Sequence, residues 1–348
     1  MMPSAIRRFA ALALFLALAF ATPTFMAAQA QNPPQNTTES PDAQQKEDQA
    51  PLTTFKKNVN VVSIFFNVKD KHGLLIPDLK KEDFQIFEDG KPQTIKYFSS
   101  ESNQPLTLGL LIDTSGSQTR VLPIEKEVGG DFLKDVLREK DLAFLISFDV
   151  NVDLLEDFTN SARDLRAGME KTRINTGGGG GGGIPGIGQG PIPISDPRGT
   201  LLYDAIFLAA DEKLKSEVGR KAMIIFTDGE DQGSRETINS AIEAAQKSDS
   251  MVYVLLIADR AMYPSGDSEM KKIAEQTGGR VIEVGNKPEK LRAAFQQISN
   301  ELRSQYSIGY TPTNTKADGT FRKIEIKTKE GLKIQARKGY FSSKKEQQ

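Results

Sequence analysis

Three short polar segments contain the residues with the clearest capacity for chemistry. The first reads DTSGS and spans Asp113 to Ser117, the second is the pair Gly199-Thr200, and the third, TDGED, begins at Thr227. Their carboxylate and hydroxyl oxygens are hard donors, which suit Mg²⁺ in an octahedral site that keeps some of its waters. We therefore predict a metal site formed by Asp113, Ser115, Ser117, Thr200 and Asp228.

The predicted site carries few formal charges, so the bound ion should remain electrophilic. An incoming carboxylate from another molecule can then complete its coordination. Gly116 eases the tight turn that lets Ser115 and Ser117 face the same point. Oxygen donors of this kind do not separate Mg²⁺ from Mn²⁺ or Ca²⁺.

The elements that must position these residues are apolar runs, each of which ends on an aspartate. The runs are LTLGLLID, DLAFLISFD, KAMIIFTD and MVYVLLIAD, and amphipathic segments separate them. Unbroken apolar strands that alternate with helices predict a mostly parallel sheet with helices on both faces. VDLLEDF follows the second run so closely that it predicts an antiparallel edge strand, and GRVIEV predicts the last strand. The result is a doubly wound, Rossmann-like α/β domain with six strands.

The predicted site lies where such a fold binds ligands. In open α/β sheets that place is beyond the carboxyl ends of the strands, where the strand order reverses. DTSGS follows the first strand and TDGED follows the third long run, whereas Thr200 stands at a predicted helix start. A serine-rich turn after a strand is often only a helix cap, but three such segments in this order favour a metal site.

The two ends of the chain have the alternating pattern of short β-strands. VNVVSIFFNV (Val59 to Val68) predicts a strand, and Phe84 to Phe98 predicts a hairpin that turns at Asp89-Gly90. YSIGYTP, FRKIEIKT and LKIQARKGYF, from 306 onward, predict further strands. Neither end can bury a core alone. We expect residues 55–102 and 305–342 to pair into one small β-sandwich-like domain, with the α/β domain (103–304) inserted and a short tail at 343–348. Two separate hairpins packed on the central domain are the alternative.

The N-terminus has the layout of a secretory signal peptide. Arg7 and Arg8 precede an apolar run from Phe9 to Phe20, and the small-x-small sequence AQA ends at Ala30. We expect cleavage after Ala30, a disordered linker over 31–54, and a secreted or periplasmic protein with no transmembrane segment in the mature chain. An uncleaved anchor is the alternative.

Composition excludes several classes of function. The 348 residues carry a net charge of −1, so no overall field recruits nucleic acid, and the absence of cysteine excludes disulfides and thiolate chemistry. The single histidine, His72, lies in a polar turn, so neither Ser115 nor Ser117 has a plausible base.

A Mg²⁺-dependent phosphohydrolase or phosphotransferase with Asp113 as nucleophile is the enzymatic alternative. That chemistry normally needs a second aspartate two residues on, where this chain has Ser115. We therefore predict that the protein is not an enzyme.

A row of glycines, Gly177 to Gly183, raises the question of a phosphate-binding loop. Such a loop follows a strand and opens a helix, whereas this row follows a predicted helix (Ser161 to Lys171) and runs into prolines. We interpret it as a connector whose far end delivers Thr200 to the metal.

DTSGS with a later GT and TDGED resembles the metal-ion-dependent adhesion site of von Willebrand factor type A domains, as in integrin I domains. The resemblance covers roughly Gln104 to Arg303. It implies that the two serines and Thr200 ligate the ion directly or through water, while Asp113 and Asp228 ligate it or hold its waters. It also implies that an acidic residue of a partner protein takes the open position, in a non-catalytic role in adhesion, protein interaction or envelope assembly.

The flanking segments, with EDF.I.EDGK early and RKGYF late, resemble bacterial secreted proteins related to von Willebrand factor type A domains. In some members of the type A family, ligation of the ion shifts the last helix, which corresponds here to Pro288 to Ser304. We therefore hypothesise that metal ligation affects the β domain through the connection that follows this helix.

Overall fold

The computed structural model describes residues 61–100, 104–175, 199–257, 266–328 and 331–343, which all belong to one compact unit spanning 57–348. The predicted signal peptide, the linker, the glycine row and the last five residues, 344–348, lie outside the described residues. The first strands are β1 (Val62–Lys69), β2 (Phe84–Glu88), β3 (Lys91–Gln93), β4 (Ile95–Ser99), β5 (Leu106–Asp113), β6 (Leu142–Phe148) and β7 (Val152–Thr159). The later strands are β8 (Arg220–Thr227), β9 (Ser250–Leu256), β10 (Val281–Glu283), β11 (Tyr306–Tyr310), β12 (Phe321–Thr328), β13 (Lys333–Ala336) and β14 (Gly339–Phe341). The α-helices are α1 (Leu122–Val136), α2 (Ala162–Lys171), α3 (Leu202–Leu208), α4 (Ile238–Lys247), α5 (Gly266–Thr277) and α6 (Pro288–Arg303).

The central sheet has six strands in the order β10-β9-β8-β5-β6-β7. All neighbours run parallel except β7, which is antiparallel to β6 at the edge. Every residue of β5, β8 and β9 is buried, as unbroken apolar runs require when both faces of a sheet are covered. The predicted fold class is confirmed.

Helices cover the two faces of this sheet through two separate apolar cores. Leu133 of α1, Met169 of α2 and Phe295 of α6 belong to one core. Ile206 of α3, Ala245 of α4 and Ile273 of α5 belong to the other. The domain is therefore doubly wound, and each strand is held from both sides.

The strands at the two ends of the chain form two antiparallel sheets, ordered β13-β1-β11-β4 and β14-β12-β2-β3. β1 pairs with β11 and β2 pairs with β12, so N-terminal and C-terminal segments are neighbours in both sheets. Side chains of both sheets, Phe66 and Ile324 among them, share a third core. This is a β-sandwich, as predicted, and not two separate hairpins.

Two details of the predicted strands are wrong. Only β2 and β3 form the hairpin, through Asp89 and Gly90, which both have the positive φ of a tight turn; β4 belongs to the other sheet. The run from Leu332 to Phe341 is two strands, β13 and β14, one in each sheet. The chain leaves the first sheet at Arg337, whose guanidinium binds Asp249 of the central domain.

The strand order reverses between β5 and β8. The chain passes from β5 to β6 and β7 on one side, and then returns to form β8 on the other side of β5. Ile112 is paired with Phe226, so Asp113 and Thr227 end adjacent strands at the same edge. The crevice that this topology leaves at the carboxyl ends is where DTSGS and TDGED lie. No helix among the described residues is long and apolar enough to cross a membrane.

Candidate metal centre

Asp113 is the last residue of β5, and its carboxylate is completely buried. One oxygen, Oδ2, accepts a hydrogen bond of 2.8 Å from the hydroxyl of Thr227. The other, Oδ1, accepts a bond of 2.9 Å from the backbone N–H of Ser115. Two strand ends therefore fix the orientation of this carboxylate.

The electrostatic surroundings of Asp113 disfavour its charge. Burial is the main cause and the neighbouring charge of Asp228 is the second, and together they raise the pKa of Asp113 from 3.8 to about 7. Asp228 is itself only 6% exposed. Two carboxylates in this setting favour either a bound proton or a bound cation.

The two serines of DTSGS lie at the surface above Asp113. Ser115 precedes a short 3₁₀-helix, Gly116–Arg120, which carries Ser117. The two hydroxyl oxygens are 3.0 Å apart. Two oxygens at this separation are spaced as neighbouring ligands of one small cation are, since such ions hold oxygens at roughly 2.0–2.6 Å.

Hydrogen bonds connect the chain around Thr200 to the neighbourhoods of the other two segments. It forms an antiparallel bridge with Gln232, with two N–H···O bonds of 2.9 Å. The next residue, Leu201, donates its N–H to the carbonyl of Asp149 at 2.8 Å. The carboxylate of Asp149 in turn accepts a bond of 2.8 Å from the hydroxyl of Thr114. The structure thus links the Gly199-Thr200 segment to both DTSGS and TDGED.

The neighbouring acidic residues have other partners. Asp149, Glu230 and Asp231 lie close to the proposed ligands but outside that set. Asp231 accepts bonds from the N–H of Tyr203 at 3.1 Å and the hydroxyl of Ser234 at 2.6 Å, so it anchors the start of α3. In the described part of the chain, no group of three or more His, Cys, Asp or Glu side chains is placed to hold an ion. A cation at this edge would therefore depend on hydroxyls as well as carboxylates.

Sequence reasoning missed two residues of this region, Thr227 and Glu125. Glu125 lies on α1 and is 1% exposed, and neither carboxylate oxygen has a hydrogen-bond partner among the described residues. Burial, and then the charge of Asp113, raise the pKa of Glu125 well above its usual range. A signal was available, because Glu125 lies three residues after Leu122 and three before Val128, on the buried stripe of the helix.

Comparison with known proteins gives structural neighbours only. No family model matches the chain, and no curated protein matches it. Proximal thread matrix protein 1 from the mussel byssus aligns at 14% identity and TM-score 0.46, over 62% of this chain and 51% of that protein. The conserved hypothetical protein BatB from Bacteroides thetaiotaomicron aligns at 19% identity and TM-score 0.40, over 57% of this chain and all of that one (100%).

A third neighbour is the von Willebrand factor domain of the type V pilus tip protein Mfa5 from Porphyromonas gingivalis. It aligns at 15% identity and TM-score 0.41, over 57% of this chain and 94% of that one. The central domain is similar to von Willebrand factor type A domains. The likeness concerns the fold alone, because the identities and TM-scores are low. The strand order and the two helical layers of this chain define its doubly wound architecture independently of these neighbours.

Proposed function

We propose that the protein is an exported, non-catalytic binding protein. Its type A-like domain holds a divalent cation, and that cation binds an acidic residue of a partner protein. The proposed ligands are Asp113, Ser115, Ser117, Thr200 and Asp228, and the proposed ion is Mg²⁺, with Mn²⁺ and Ca²⁺ as alternatives. The observation that carries the proposal is the buried carboxylate of Asp113, which lies beside a second carboxylate and two surface hydroxyls at the point where the strand order reverses.

The chemistry of these residues fits a small hard cation. A cation relieves the repulsion between Asp113 and Asp228 and replaces the proton that burial favours on Asp113. The hydroxyls of Ser115 and Ser117 add oxygen ligands without adding charge. With only two carboxylates nearby, the ion keeps enough positive charge to attract a partner's Asp or Glu.

Other residues of the chain hold these groups in place. Thr227 fixes one oxygen of Asp113, and the same hydroxyl accepts the N–H of Gly229 at 3.0 Å. Gly229 has a φ of +91°, which other residues rarely adopt, so the turn that carries Asp228 depends on glycine. The sole histidine, His72, lies in the turn after β1, which supports a binding role over serine hydrolysis.

The proposal includes export and a division into domains. Residues 1–30 form the signal peptide, 31–54 the linker, 55–102 and 305–342 the two parts of the β domain, and 103–304 the type A-like domain. Mass spectrometry of the protein recovered from periplasm or medium should find a chain that starts at Gln31. A chain that keeps its first thirty residues in the membrane fraction would contradict cleavage.

Metal titration tests the proposed site directly. Calorimetry with MgCl₂, MnCl₂ and CaCl₂ should show binding of one ion to the wild type and a large loss for Ser115→Ala and Asp228→Asn. Glu230→Gln is the matched control, because this carboxylate is adjacent to Asp228 but outside the proposed ligand set. Equal affinities in all four proteins would exclude the site.

Partner binding needs a second experiment. The mature protein and Asp113→Ala are used as baits for envelope extract, in Mg²⁺ and in EDTA, and each captured protein is then purified and tested for direct binding. Capture that requires both Mg²⁺ and Asp113 supports the proposal. If Asp113→Ala binds its partner as the wild type does and loses only thermal stability, the metal has a structural role and the adhesion hypothesis is lost.

A further inference from the structure

An apolar groove lies beside the proposed metal site. It has a volume of about 430 Å³, and it is lined by Val150, Asn151, Val152, Leu201, Phe207 and Leu208, with charged groups of Asp204, Arg235 and Glu236 also on its walls. This volume is in the range of pockets that bind small groups, and it is ample for one large side chain. The groove is therefore a surface that the proposed cation site does not itself explain.

The groove is continuous with the proposed site along the chain. Leu201 directly follows the proposed ligand Thr200. Val150 directly follows Asp149, whose carboxylate holds Thr114 of the DTSGS segment at 2.8 Å. Consecutive Cα atoms are about 3.8 Å apart, so the groove begins within one or two residues of the site.

Aliphatic side chains of the groove remain partly exposed. Val150, Leu201 and Leu208 are half-buried, and none of them belongs to the apolar cores of the sheet. Val152 and Phe207 line the groove and also pack against one of these cores. The groove therefore offers an incoming aliphatic side chain apolar walls that are not part of the buried cores.

The charges around the groove favour an occupant that is itself uncharged. Both carboxylate oxygens of Asp204 accept backbone N–H groups, those of Glu236 at 2.8 Å and Arg235 at 3.2 Å. The guanidinium of Arg235 is exposed and has no ion pair within the described part of the chain. With one guanidinium and two carboxylates on its walls, the groove has no net positive field for a carboxylate, and its aliphatic walls disfavour a charged side chain.

We propose that this groove receives an aliphatic side chain of the same partner segment whose acidic residue reaches the cation. This inference rests on the proposed function and sharpens it, because it defines the partner as an acidic residue with a leucine-like residue close by in sequence. An extended segment advances roughly 3.3 Å per residue, so we expect the two residues to be one to three positions apart.

Methyl NMR can detect occupancy of the groove even by weak ligands. The probes are heptapeptides of glycine and serine with one central glutamate, and with leucine at each other position in turn. Control peptides replace leucine by serine, or glutamate by glutamine. With MgCl₂ present, at least one leucine spacing should shift the methyl resonances of Val150, Leu201 and Leu208. The methyls of Leu74 and Val218, which are 67% and 78% exposed elsewhere, should not move.

Two variants test the role of the groove itself. Leu208→Gln should weaken the best leucine peptide by roughly tenfold, the effect of losing burial of one large aliphatic group, and leave the serine peptide unchanged. Val150→Thr is the second variant, in case Leu208→Gln perturbs α3. It keeps the volume of the side chain and should also weaken binding of the leucine peptide.

The outcomes separate the two proposals. If every glutamate peptide shifts the amides of Gly116 and Gly229 in Mg²⁺ while the groove methyls stay unmoved, the inference is wrong and the proposed function stands. If no peptide shows an effect that needs both Mg²⁺ and glutamate, both fail. Nuclear Overhauser contacts between the groove methyls and another part of the same chain, seen before peptide is added, would also overturn the inference.

Discussion

Replacing Asp113 by asparagine should make the metal-free protein more stable and insensitive to Mg²⁺. The pKa of Asp113 rises from 3.8 to about 7 on folding, a difference of roughly 3 units, and each unit corresponds to about 1.4 kcal/mol. Keeping this carboxylate ionised in the native state therefore costs up to roughly 4 kcal/mol above pH 7. Asparagine removes that cost. Its Oδ1 can accept the N–H of Ser115, and the hydroxyl of Thr227 can turn to accept from its Nδ2.

We expect Asp113→Asn to raise the free energy of unfolding by about 2–4 kcal/mol at pH 8 in EDTA, since the new hydrogen bonds are weaker than those to a carboxylate. For a domain of this size, that corresponds to an increase in Tm of roughly 5–15 °C. Urea unfolding followed by circular dichroism measures the first quantity, and calorimetry measures the second. Addition of Mg²⁺ should then stabilise the wild type and leave the variant unchanged.

The dependence on pH provides the check on this reasoning. Between pH 3.8 and about 7 the unfolded chain loses the proton of Asp113 while the native state keeps it, so this group makes the metal-free wild type less stable as pH rises through that window. Above pH 7 its contribution is constant. Asp113→Asn lacks this component, so the difference between the two proteins should grow from pH 4 to pH 7. A variant that is less stable than the wild type at pH 8 in EDTA, or a difference that does not change with pH, would refute the argument.

Three further substitutions test other buried positions. Glu125→Gln should raise the free energy of unfolding at pH 8 by about 1 kcal/mol or more, because it removes a buried acid beside Asp113. A lower free energy of unfolding than that of the wild type, measured by urea denaturation, would contradict this. Glu301→Gln should lower the free energy of unfolding by about 3–5 kcal/mol, because this buried carboxylate pairs with Lys69 at 2.9 Å and with Arg280 at 2.8 Å. A loss below about 1 kcal/mol would show that the two ion pairs contribute little to stability. Gly279→Ala should cost about 3 kcal/mol or more, since the new Cβ would lie 1.9 Å from the carbonyl oxygen of Val252; a soluble variant with the wild-type Tm would show that the backbone can relax.

The central sheet could be predicted because its strands are unusually uniform. β5, β8 and β9 are buried on both faces, so each reads as an unbroken apolar run that only a covered parallel strand explains. The short connection before Val152 likewise left only an antiparallel hairpin, which the structure confirms. The positions of DTSGS and TDGED then followed from the topology of the sheet.

The divisions among the flanking strands could not be predicted from local pattern. β13 and β14 are separated by only two residues, Arg337 and Lys338. What divides them is Arg337, which binds Asp249 and the carbonyl of Ser63 and so turns the chain toward another element. Such contacts across the sequence leave no periodic signal.

Within the candidate site, the sequence predicted the proposed ligands but not the buried groups that surround Asp113. Thr227 begins the TDGED segment, but its bond to Asp113 depends on the register of two strands that are distant in sequence. Glu125 is followed by Lys126 and Glu127, a charged run that is typical of a solvated helix face. Its place on the buried stripe of α1 was the only local indication.

The pairing of β4 with β11 has a consequence for the order of folding. Ser99 and Ser307 are partners in one sheet, so the roughly 200 residues between them begin and end at neighbouring points. During synthesis, β1 to β4 emerge first, but their partners β11 to β14 are made last. Unpaired strand edges are prone to aggregation, and closing a long flexible loop is slow. The central segment, once folded, brings the two points together and shortens that search. We therefore expect the folded central segment to speed assembly of the sandwich, and variants that delay its folding should expose the early strands for longer.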